Sequence, residues 1–107
     1  MSKQIEFKYQ DKDYCLEYNR DAIKIMEKQG FKLQEYIDKP MTMIDLAFQG
    51  AFLKNHRDIK LNVINDIYNS LGDKTKLIST LLEMISETYE DLYSDNKDEK
   101  NIEWKIV

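Results

Sequence analysis

The chain has 107 residues, with 16 Lys and Arg against 20 Asp and Glu and a net charge of -4. With 42% hydrophobic and 34% charged residues, it has the composition of one folded, soluble domain and not of a disordered chain. Only Arg20 and Arg57 are arginines, and the fourteen lysines are scattered among acids, which excludes a general nucleic-acid binder built on clustered cations and bidentate guanidinium contacts.

Cys15 is the single cysteine, so no internal disulfide forms and a reducing compartment fits. The opening "MSKQIEFKYQ" has no apolar signal core, and charges interrupt every long apolar run. The expectation is a cytoplasmic protein with no secretory signal and no membrane span.

In chain order, "IEFKY" alternates, with Ile5, Phe7 and Tyr9 on one face and Glu6 and Lys8 on the other. The polar turn "QDKD" follows, and "YCLEY" alternates again, with Tyr14, Leu16 and Tyr18 opposite Cys15 and Glu17. Two such runs around a short polar turn predict a β-hairpin, whose apolar face needs helices to lie on. Asn19 suits the cap of a helix from Arg20, with Ala22, Ile23 and Met26 inward, Gly30 as its stop and Phe31 folding back. Pro40 opens the next helix, where Met43, Ile44, Ala47, Phe48, Ala51 and Phe52 recur at helical spacing to about Lys54. That segment is apolar almost all round and reads as the central helix. After the polar break "NHRDIKLN", a helix from about Val63 to Leu71 has Asn62 as its candidate cap. Gly72 stops it and Asp73 restarts the chain. The last helix carries Leu77, Ile78, Leu81, Leu82, Ile85, Tyr89 and Leu92 on one broad face.

The fold class predicted is α+β: an N-terminal β-hairpin packed on four to five α-helices, with a short C-terminal strand-like tail. Residues 1–93 form a single domain, with the hairpin at 5–18 and helices over about 20–93. Residues 94–101 are a charged linker. The tail, "NIEWKIV", alternates Ile102, Trp104 and Ile106 with Glu103 and Lys105 and holds the only tryptophan. It suits a strand that adds to a hairpin edge, in this chain or in a neighbour.

The inventory for catalysis is thin. His56 is the only histidine, Gly30, Gly50 and Gly72 are isolated, and no spacing of Cys, His and acids resembles a zinc or calcium site. Cys15 with His56 is the one nucleophile–base combination, without an elbow or oxyanion hole beside it. Glu87 with Asp91 at helical spacing reads as a solvated face, and Tyr9, Tyr14 and Tyr18 read as hairpin packing instead of base stacking. No catalytic residue, cofactor or metal ligand is assigned, and the expectation is a non-enzymatic protein. Met41 and Met43, near Phe48 and Phe52, suit either an adaptable groove for a partner helix or ordinary core.

Four stretches, "IEFKYQDKDYCLEYNRDAIKIMEKQGF", "DKPMTMIDLAFQGAFLKNHR", "INDIYNSL" into "LLEMISETYEDL", and "NIEWKIV", span nearly the whole chain. In that order they resemble a family of small tail assembly chaperones of tailed phages and prophages of Gram-positive bacteria. The resemblance implies a chaperone that keeps the long, apolar, helical tape-measure protein in solution in the host cytoplasm until tail-tube subunits polymerise around it. It implies no active site, and it implies protein partners, the tape-measure and tail-tube proteins; association with other copies of the chain is expected from the alternating tail itself. Partner contact is expected at Met43, Leu46, Phe48, Phe52 and Leu53, and strand exchange at Ile102, Trp104 and Ile106. The competing readings are a small structural component of the phage tail and a phage-encoded regulatory protein that binds a host protein. Presence of the chain in purified virions would favour the first of these over a chaperone.

Overall fold

The computed structural model describes residues 3–94 and 102–107. Strands β1 (Ile5–Tyr9) and β2 (Lys12–Leu16) are followed by helices α1 (Arg20–Lys28), α2 (Pro40–Gly50), α3 (Leu61–Ser70) and α4 (Lys74–Asp91), with a single 3₁₀ turn at Leu33–Glu35 between α1 and α2. The fold is α+β, a hairpin on four helices, as the alternation and helical spacing predict.

The hairpin is antiparallel, with Ile5 opposite Leu16, Phe7 opposite Tyr14 and Tyr9 opposite Lys12. Its connection is shorter than the expected "QDKD". Gln10 and Asp11 alone make the turn, with φ of 51° and 64°. Two successive positive φ values define the turn whose twist matches paired strands, so β2 begins at Lys12 and ends at Leu16, before Tyr18. Tyr14, Leu16 and Tyr18 are buried, and the Tyr18 hydroxyl donates to the Ala47 carbonyl at 2.6 Å, fixing the sheet on α2.

Helix α1 starts and stops where its residues dictate. The Asn19 side chain accepts from the Ala22 amide at 2.8 Å. At the other end Gly30 takes φ 103°, its amide donates to the Glu27 carbonyl and the Phe31 amide donates to the Met26 carbonyl. That pair of bonds closes the last turn and buries Phe31 against the core. Helix α2 begins on Pro40, as expected, and is the centre of the core, with Met43, Ala47, Phe48 and Gly50 buried. A Cβ at Gly50 would collide with Sδ and Cγ of Met26, so the glycine sets how closely α1 and α2 approach. The helix proper ends at Gly50, and tighter turns carry the chain on, with Phe52 and Leu53 donating to carbonyls three residues back.

Asn62 is not the cap of α3. The helix starts two residues earlier than expected, at Leu61, and the Lys60 carbonyl accepts from the amides of Val63 and Ile64. Ile59 packs on the core just before it and so sets where the chain enters the helix. Asp73 restarts the chain as expected, accepting from the Lys76 amide at 3.3 Å, and α4 buries Leu77, Leu81, Met84 and Ile85. Leu92 falls beyond the helix and is 53% exposed, so it leaves the inner face that the spacing gave it.

The tail departs most from expectation. Among the described residues the sheet has two strands, and residues 102–107 form neither a strand nor a third member of it. Ile102, Trp104 and Ile106 are 90%, 82% and 90% exposed. A strand needs a partner for its amides and carbonyls, and among the described residues the tail has none. The linker expected at 94–101 lies outside the described residues apart from Ser94.

Candidate partner-binding surfaces

Two features of the surface bear on function, a polar clamp on the hairpin and an apolar groove on the helices. The clamp begins at Glu17. Alternation puts this residue opposite the core, yet it is only 7% exposed. Lys54 donates to its Oε1 at 2.8 Å, Asn55 to its Oε2 at 2.8 Å, and Gln4 to its Oε1 at 3.2 Å. The Lys54 ammonium first, then the Asn55 amide, hold the carboxyl down at about 2, well below its ordinary range.

The same short segment after α2 also grips the main chain of β2. The Cys15 amide donates to Nε2 of His56 at 3.0 Å, the Cys15 carbonyl accepts from Asn55 at 3.2 Å, and the Glu17 amide donates to the Ala51 carbonyl at 3.2 Å. "K-N-H" is therefore a structural clasp that closes the outer edge of β2. It also decides the Cys15–His56 pairing. Nε2 is occupied as an acceptor for the main chain, and the thiol pKa is pushed up by burial and then by the Glu17 carboxylate, the opposite of what activates a nucleophile.

The groove lies between α2, α3 and α4 and has a volume of about 540 Å³. Ile44, Phe48, Tyr68 and Ile78 line it, Met41 stands at its rim, and Asp45 and Asn69 are its polar margin. The Phe48 ring meets Tyr68 edge-on at 5.1 Å, which stiffens one wall. Met41 is 90% exposed, a long, polarisable side chain free to adapt to what lies on it. An apolar trough flanked by polar groups is the shape that accepts one face of an amphipathic helix.

The residues expected to contact a partner divide three ways. Met43, Phe48 and Phe52 are core, at 3%, 2% and 1% exposure, because the central helix is covered by α1, the 3₁₀ turn, α3 and α4, with Tyr18 bonded to its Ala47 carbonyl. Met43 and Phe52 therefore do not present a surface in the folded chain, while Phe48 only floors the groove. Leu46 is half-buried against the core, and Leu53 is half-buried in the turns that follow α2. Ile102, Trp104 and Ile106 are exposed, as partner contact requires. Sequence reasoning did not single out Ile44, Tyr68 and Ile78 as a shared surface. A partial signal existed in Met41, Ile44 and Phe48 at i, i+3 and i+7, a second apolar stripe beside the Met43–Ala47 one.

The full chain, residues 1–107, matches the family described as Domain of unknown function (DUF5055), and the chain belongs to that family. No curated protein and no solved structure matches it. Among the described residues no helix is long and apolar enough to cross a membrane.

Proposed function

We propose that this chain is a non-enzymatic tail assembly chaperone of a tailed phage or prophage, a holdase for the tape-measure protein that also helps to recruit tail-tube subunits in the host cytoplasm. The observation that carries the reading is the apolar groove between α2, α3 and α4, with Met41 exposed at its rim. A holdase for a long helical client needs a trough for apolar side chains, high surface charge to keep the complex in solution, and no chemistry. The occupant fitting this groove is an amphipathic helix, laying residues at i, i+3 and i+4 over Ile44, Tyr68 and Ile78. The resemblance along nearly the whole chain supplies the identity of that client.

The test is co-expression with the long helical protein encoded immediately downstream, followed by pull-down and gel filtration. The expected result is a client that is soluble only in the presence of this chain and co-elutes with it. A client that neither binds nor gains solubility would overturn the proposal.

A further inference from the structure

The two outer edges of the hairpin are not alike. The edge of β2 is closed by Asn55, His56 and Ala51. Because the Cys15 amide and carbonyl point outward to those partners, the Cys15–Glu6 pair is one of the non-hydrogen-bonded pairs of the ladder. Alternation then places the Lys8–Asp13 pair in the same class, so the amides and carbonyls of Glu6 and Lys8 point outward from β1. Among the described residues nothing hydrogen-bonds to them. Beside them Ile5, Phe7 and Tyr9 are only half-covered. Among the described residues there is thus one open strand edge and one exposed alternating segment, the tail.

We infer that residues 102–106 of a second copy add to this edge of β1 as an antiparallel strand. The register follows from side-chain chemistry. Placing Trp104 opposite Phe7 puts Ile106 by Ile5 and Ile102 by Tyr9 on the half-covered face, and sets Lys105 beside Glu6 and Glu103 beside Lys8 on the solvent face. Both outer pairs are then oppositely charged, and both are the hydrogen-bonded pairs that use the free groups of Glu6 and Lys8. The parallel arrangement brings Glu103 near Glu6 and Lys105 near Lys8, like against like. The register also favours a second copy over the same chain. Helix α4 ends beside Arg20, whose guanidinium donates to the Asp91 carbonyl at 3.3 Å, at the open end of the hairpin where Ile5 faces Leu16. The tail's first strand residue, Ile102, belongs at the opposite end, beside Tyr9, and the chain's own tail lies 82–90% exposed at Ile102, Trp104 and Ile106, paired with no strand among the described residues. One open edge and one tail per copy make a heterologous contact, which propagates from copy to copy. This contact stands independently of the chaperone reading.

Two variants test it: Glu6→Lys with Lys8→Glu, which reverses the edge, and Glu103→Lys with Lys105→Glu, which reverses the tail. All four side chains are exposed, and the tail variant leaves the hairpin untouched. Sedimentation measures association, and the emission of Trp104 reports tail burial. The expected result is concentration-dependent association of the wild-type chain with a blue shift, weakened about tenfold in each variant alone by converting two attractive cross-strand pairs to repulsive ones. An equimolar mixture of the two variants regains wild-type association, because each edge then meets a matching tail. A wild-type chain that stays monomeric at millimolar concentration, variants that associate like wild type, or a mixture no stronger than its components would overturn the inference.

Discussion

Replacing Glu17 by Gln should be costly and should lose its cost in acid. In the folded chain the carboxylate receives Lys54 and Asn55, each at 2.8 Å, and titrates at about 2 instead of 4.5. At full strength that difference corresponds to ~3 kcal/mol, since each pH unit of displacement is worth ~1.4 kcal/mol. Lys54 is 40% exposed, and solvent screening leaves about 1.5 kcal/mol. The amide introduced by Glu17→Gln also turns an N–H toward donors that formerly met an oxygen, which costs about 1 kcal/mol more. The sum of about 2.5 kcal/mol at pH 7 should lower the melting temperature by roughly 10 °C. The sign follows from a depressed folded pKa. The wild type holds the charge-dependent part above pH 4.5 and loses it as the pH falls toward 2, while the variant has none to lose. Urea unfolding followed by circular dichroism at pH 7, 5 and 3 should therefore show the gap between the two proteins narrowing in acid. Equal midpoints at pH 7, or a gap that stays constant down to pH 3, would refute the clamp.

Other expectations follow from the core. Gly50→Ala should destabilise by about 1–3 kcal/mol in chemical denaturation, because its methyl group meets the fully buried Met26 side chain. Burial raises the phenol of Tyr36 to about 12 and that of Tyr18 well above its ordinary 10, so both stay protonated in the fold after the unfolded chain ionises. Stability should hold below pH 10 and fall as the pH rises above it, and Tyr18→Phe should blunt that fall while losing about 1 kcal/mol at pH 7 with the bond to Ala47. Alkylation of Cys15 by iodoacetamide at pH 8 should run several-fold slower than that of a free thiol and speed up in the Glu17→Gln variant, which removes the carboxylate beside the sulfur.

What the residues disclosed depended on how far their partners lie along the chain. Helix α1 was legible at both ends because Asn19 and Gly30 act within a few residues of themselves. The hairpin was legible from alternation, but its turn was misplaced because Gln10 and Asp11 reach positive φ without a glycine to announce it. Glu17 was given to solvent because its partners, Lys54 and Asn55, are 37 and 38 residues away. Met43, Phe48 and Phe52 were taken for a binding face because apolar residues at helical spacing look alike whether one side of a helix is covered or several. Alternation made the tail a strand, but a strand also needs an edge to pair with, and the tail takes none among the described residues. The groove was the least legible feature, since it takes residues from three helices, each apolar for reasons its own segment explains.

Amide hydrogen exchange of the chain alone and in complex with its co-expressed client tests the central claim most directly. The account predicts new protection over residues 40–48, 65–69 and 74–82, which border the groove, and little change over 12–17, where the clamp already holds the backbone. Protection confined to the hairpin, or a complex that leaves the groove segments exchanging as in the free chain, would contradict it.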